Sequence, residues 1–287
     1  MIIDMHVHPY CKDVSIIPDV ESGLKAQFES KYRANSKQRM AIRKKMFTEY
    51  VADDIIKLMD ESGIDRAVIV AFDMTTQYGV VMVTNEDVSG LGSRYPNRFI
   101  PFASVDPSTG RAAVEELEHA IVDLGCKGLK LCPPVQKFDI SDSKLNQLWD
   151  LALDMDIVVW THTAHQMGHF GSDARLGHPM LVEPVAHRYP DLKIVLGHCG
   201  FPWVWEAWSL VTRHPNVYVD ISAYIDLYNY FPWDAYIKYG AEERVLFATD
   251  YPVRTWKQTL AALNEVDIPT EFKKKILGEN ARRLLNL

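Results

Sequence analysis

Eight short apolar runs, each followed by a longer amphipathic stretch, constrain this chain more than any other feature. They cover residues 2–5, 67–72, 99–103, 128–131, 157–160, 192–196, 217–221 and 245–248. Each is rich in Val, Ile, Leu or Phe without clean apolar/polar alternation, which is the pattern of strands buried on both faces. Helical periodicity fills the gaps. Residues 53–62 carry Ile55, Ile56, Leu58 and Met59 and are followed by Gly63 as a stop. Residues 111–124 carry Val114, Leu117, Ile121 and Leu124, with Gly125 after them. Further helices are expected over 143–155, 202–214, 256–264 and 270–277. The joints Arg94-Tyr95-Pro96-Asn97, Arg188-Tyr189-Pro190-Asp191 and Arg213-His214-Pro215-Asn216 each precede a strand. In each, proline ends a helix and Asn or Asp makes the turn. Eight strand–helix units fit a (β/α)₈ barrel, typically ~250 residues. A doubly wound open sheet would want a glycine-rich turn after its first strand. Here that turn reads His6-Val7-His8-Pro9-Tyr10, so a TIM barrel in one domain, 1–287, is expected.

The chain departs from the simple barrel at residues 10–50, too long a connection after strand one. Residues 27–47 read as one helix carrying Lys31, Arg33, Lys37, Arg39, Arg43, Lys44 and Lys45. Such a basic run is ordinarily a solvated face. The alternative is a lid-like insertion over the barrel mouth, with Arg33, Arg39 or Arg43 lending a cation to an anionic substrate.

A net charge of −7 argues against a nucleic-acid footprint. No run of 18 apolar residues is present, so no membrane span is expected. The cysteines Cys11, Cys126, Cys132 and Cys199 are scattered and form no C-x-x-C pair, as reduced thiols of a cytoplasmic protein would be. Cys132 and Cys199 lie beside candidate site residues.

In a barrel the C-terminal strand ends carry the active site. Here those ends hold Asp4-Met5-His6-Val7-His8, then His162, His198 and Asp250, with Lys130 inside strand four. Two histidines one residue apart on a strand point to the same side and can grip one ion. Four strand ends bearing ligand-grade residues are a specific signal. His165 and His169 follow His162 in a glycine-marked loop, where substrate contact or plain surface is expected. Trp203 is a candidate wall of the cleft. In the aromatic group after strand seven (Tyr224, Tyr228, Tyr230, Phe231 and Trp233), Tyr224 is the candidate pocket residue. The rest are expected in core packing or in a homodimer contact.

These motifs, together with Gly128-Leu129-Lys130-Leu131, Gly197-His198-Cys199-Gly200, Phe247-Ala248-Thr249-Asp250-Tyr251-Pro252 and the tail Gly278-Glu279-Asn280-Ala281-Arg282-Arg283-Leu284, closely resemble the amidohydrolase superfamily. More narrowly, they are similar to the amidohydrolase-2 branch, which includes aminocarboxymuconate-semialdehyde decarboxylase and the resorcylate decarboxylases. The resemblance implies that His6, His8, His162 and Asp250 ligate one divalent metal. It makes His198 an acid/base facing the substrate, and Lys130 an amine that holds a carboxylate rather than a metal bridge. Zn²⁺ is the ion expected, with Mn²⁺, Fe²⁺ or Co²⁺ tolerated. The reaction expected is hydrolysis of a small carboxylated, lactone or amide substrate by a metal-activated water, with Asp250 shuttling its proton. The alternative is non-oxidative decarboxylation of a hydroxy-aromatic or muconate-like acid. The partner is a small molecule in either case.

Overall fold

The structure, a computed structural model, describes residues 1–29, 36–166 and 171–287. All eight apolar runs form strands of a single parallel sheet: β1 (Ile3–Val7), β2 (Arg66–Val70), β3 (Phe99–Ala103), β4 (Gly128–Leu131), β5 (Val158–His162), β6 (Ile194–Gly197), β7 (Val217–Asp220) and β8 (Val245–Leu246). Neighbours in the sheet are neighbours in sequence, as strand–helix–strand units dictate. The sheet closes on itself: Met5 N–H donates to Phe247 O (3.0 Å), Asp250 N–H to His6 O (3.0 Å) and His8 N–H to Tyr251 O (2.8 Å). The fold is the (β/α)₈ barrel that the spacing predicts.

Alternate strand residues divide between two cores. Ile3, Met5, Val68, Val70, Ile100, Phe102, Val158, Trp160 and Val195 fill the barrel, while Ala67, Ile69, Leu129, Val159, Leu196, Val219 and Phe247 pack outward under the helices. Two glycines make room for the interior rings. A Cβ on Gly128 would come within 2.4 Å of the Phe102 ring, and one on Gly197 within 2.2 Å of the Trp160 ring.

The expected helices form, with shifted ends. The first, expected over 53–62, spans Ala52–Ser62 and stops at left-handed Gly63 (φ 70°). Pro202 stays outside the helix Val204–Arg213. The three proline joints end helices alike: Tyr95, Tyr189 and His214 each donate their N–H back to the carbonyl four residues earlier, at 2.9 Å. The helix Asn85–Arg94 is not legible from propensity, because Gly90 and Gly92 interrupt it. It forms by packing on β3, where Gly92 lies against Pro101.

The connection after β1 corrects the sequence reading. In place of one helix over 27–47 there are two, α1 (Val20–Phe28) and α2 (Ser36–Glu49). Lys31 and Arg33 lie outside the described residues. α1 begins at Asp19, whose carboxylate caps the Ser22 N–H. Tyr228, Phe231 and Trp233 are buried, which settles them in core packing, and Tyr230 is exposed. Among the described residues no helix is long and apolar enough to cross a membrane.

Candidate metal centre and cavity

Strict alternation along β1 would turn His6 away from the barrel, since Ile3 and Met5 already point inward. A register shift in the β1–β2 pairing between Asp4 and Val7 resolves the conflict. This bulge re-aims the chain, so that His6 and His8 both reach a cavity of about 590 Å³ at the C-terminal mouth. Asp250 arrives from β8 across the closing seam. Its Oδ1 lies 3.3 Å from His8 Nε2 and 3.7 Å from His6 Nδ1. One ligand atom from each of these three residues lies within 4.8 Å of the others, a separation suited to a shared ion.

The surroundings favour an ion there. His6 Nδ1 is buried and has no hydrogen-bond partner among the described residues. A buried polar atom of that kind is costly unless something satisfies it. Burial pushes the His6 imidazole well below its ordinary pKa, and the nearby Lys130 adds to the shift. Burial also lowers His8, against the pull of Asp250. Neutral imidazoles keep the lone pairs that a metal needs. Two imidazoles and one carboxylate fit a borderline divalent cation.

Backbone geometry holds the ligands at some cost. His198, Cys199, Ala223 and Asp250 all have left-handed φ, between 60° and 66°, at the ends of β6, β7 and β8. Such non-glycine residues cost about 1–3 kcal/mol each and persist where surrounding bonds over-determine them. His198 N–H is held by Asp220 Oδ1 at 2.9 Å, and Val253 N–H donates to Asp250 O at 2.7 Å. Asp4, buried behind the ligands, accepts from His6 N–H, Thr249 N–H, Thr249 Oγ1 and Trp256 Nε1 at 2.5–3.1 Å. It thereby ties β1 to the segment that carries Asp250. Burial pushes its carboxyl up to about 7.

The other candidates divide. His162 lines the cavity, its ring centroid 4.4 Å from that of His198, but it is not in the compact set formed by His6, His8 and Asp250. Lys130 reaches the same floor, with Nζ 3.1 Å from His6 Nε2 and 3.4 Å from the Trp160 ring centroid. Tyr224 lines the cavity, its hydroxyl donating to His165 O at 2.8 Å. His165 itself sits behind that wall, its ring against Phe201 and Tyr224, and the neighbouring Gln166 lines the cavity instead. Trp203 packs against His178 at a tilt and is not among the residues lining the cavity. Cys132 lines the cavity and Cys199 does not. His169 lies outside the described residues.

The insertion does reach the site. Arg39 and Arg43 of α2 line the cavity, as does Gln27 of α1. The Arg43 guanidinium is buried and donates to Pro252 O at 2.8 Å, which fastens α2 to the loop that follows Asp250.

Sequence reasoning assigns no role to Asp4, Asp220 or Ser222. Asp220 and Ser222 carried a signal, because they alternate at the end of β7 as His6 and His8 do at β1. Alternation would set Asp4 on the face of His6 and His8, but the bulge separates it from them and it bonds Thr249 and Trp256 instead.

A sequence model of the amidohydrolase family matches residues 3–287. Gamma-resorcylate decarboxylase of Rhizobium radiobacter is 24% identical over 290 residues, covering 83% of this chain and 88% of its own. The 2-amino-3-carboxymuconate-6-semialdehyde decarboxylase of Dictyostelium discoideum is 21% identical over 342 residues, covering 99% and 91%. The crystal structure of a dihydroxybenzoic acid decarboxylase from Polaromonas sp. JS666, with bound manganese and the inhibitor 2-nitroresorcinol, matches over 100% of this chain and 97% of its own, with a TM-score of 0.72 at 18% identity. These relatives are named decarboxylases, so they favour the carboxy-lyase alternative over the hydrolase expected first. The ion named in the solved relative is manganese, and nothing singles out zinc.

Proposed function

Because the chain belongs to the amidohydrolase family, we propose that it is a metal-dependent carboxy-lyase that removes CO₂ from a small hydroxy-aromatic or muconate-like acid. The observation that carries this reading is a cavity with a metal-ligand set on its floor and a buried guanidinium, Arg43, on its wall. The names of the relatives support the same reaction.

His6, His8 and Asp250 would hold one divalent ion, manganese or zinc, with His162 as a fourth ligand from the same cavity. When bound, that ion supplies concentrated positive charge to the oxygens of a hydroxy-carboxylate. Arg43 enters from above and neutralises substrate charge; guanidinium suits a carboxylate because its N–H fork matches two oxygens. Lys130 adds a second cation at the floor. As the carboxylate departs as CO₂, the bonding pair stays on the substrate carbon and takes up a proton that the Asp250 carboxylate relays from solvent. Tyr224 and Phe72 give the cavity apolar walls for a flat ring.

The test is to incubate the Mn²⁺-loaded protein with gamma-resorcylate, other hydroxybenzoates, muconate-like acids and simple lactones, following CO₂ and organic product separately. The expected result is CO₂ in equal amount to the decarboxylated product from at least one hydroxy acid. Turnover of a lactone with no CO₂ from any acid would return the reading to hydrolysis.

A further inference from the structure

We propose that Asp220 and Ser222 are positioning residues that lock His198 into one tautomer, with the proton on Nδ1 and the lone pair of Nε2 turned to the cavity. Both come from the end of β7.

Asp220 is the anchor. It is fully buried, and four donors converge on it: Trp160 Nε1–H at 2.6 Å, His198 N–H at 2.9 Å, Ser222 N–H at 2.9 Å and Ser222 Oγ at 2.5 Å. Three of these are N–H groups, which can only donate. A carboxylate so surrounded serves as acceptor for all four, and the short O···O distance is that of a hydroxyl donating to a charged oxygen. The single proton of the Ser222 hydroxyl is therefore committed to Asp220. Ser222 Oγ is also 2.7 Å from His198 Nδ1. With its own proton spent, that oxygen can only accept, so the neutral ring must carry its proton on Nδ1. Nε2 is left as a lone pair on a ring that lines the cavity. His198 N–H bonds to the same carboxylate, so Asp220 holds the backbone of this residue directly and its ring by way of Ser222.

For the reaction, and here the argument rests on the decarboxylase reading, His198 is thus an acceptor for a substrate hydroxyl and not the donor to the departing carboxylate's carbon.

The test has a readout independent of turnover. Long-range ¹H–¹⁵N spectra of Zn²⁺-loaded protein with ¹⁵N-labelled histidine report which ring nitrogen carries the proton. The expected result for His198 is a protonated Nδ1 and a bare Nε2. A proton on Nε2 overturns the proposal, whether or not any substrate is found. Ser222→Ala is expected to let the tautomer relax, lowering kcat by about 10²-fold with KM and metal content kept. An unchanged His198 spectrum together with unchanged kcat in that variant also overturns it, and if the variant does not fold the wild-type spectrum decides.

Discussion

Lys130 places an amine inside the barrel, against His6 and over the face of Trp160, with 3% of its surface exposed. Burial pushes its pKa down from 10.5 to about 8. The sign of the linkage follows. Below pH 8 both the folded and unfolded chains carry the charge, and the fold bears the burial cost, about 3 kcal/mol. Between pH 8 and 10.5 the folded chain releases its proton first, and stability rises. Lys130→Met should therefore raise the Tm of metal-free protein at pH 7, with the gain over wild type shrinking toward pH 10.5. Thermal unfolding across that range checks it, and a gain equal at every pH would contradict the assignment. At this scale the sequence was partly legible. His6, His8 and Asp250 announce themselves because ligand-grade residues are out of place at the ends of apolar runs. The alternation of Asp220 and Ser222 at the end of β7 is a weaker signal, because an Asp and a Ser at a strand end also suit a turn, and only the fold brings them to His198.

At the scale of elements, the strands were readable because burial on both faces leaves a continuous apolar run, and the eight runs became the eight barrel strands. What pattern could not supply was the bulge in β1, since alternation from Ile3 and Met5 assigns His6 to the wrong face. Nor could it supply the break between α1 and α2, where helical composition runs on across residues 27–47. The glycines give this scale its test. Gly197 sits where a Cβ would strike the Trp160 ring at 2.2 Å, so Gly197→Ala must displace a ring that also bonds Asp220. It should lower stability by about 1–3 kcal/mol. Gly90 is exposed in the helix Asn85–Arg94, and a Cβ added there would meet no atom within 4 Å. It should behave oppositely: Gly90→Ala should stabilise by up to about 1 kcal/mol. Chemical denaturation of the two variants side by side checks both signs.

For the whole molecule, the closing seam of the barrel is also where the candidate metal ligands meet. β1 brings His6 and His8, β8 brings Asp250, and Asp4 fastens one to the other with three hydrogen bonds, two from Thr249 and one from Trp256. The connection after β1 continues the same logic, since α2 ties Arg43 to the loop after Asp250. An ion bound by ligands from both sides of the seam should therefore couple catalysis to the integrity of the barrel. The most direct measurement is a titration of Mn²⁺ into metal-free protein, with bound metal and CO₂ release from a substrate acid recorded at each step. Decarboxylation should rise in proportion to metal and level off at one ion per chain, and a His6→Ala protein should bind none and release none. Undiminished CO₂ release from metal-free protein, or full activity in His6→Ala, would contradict the account.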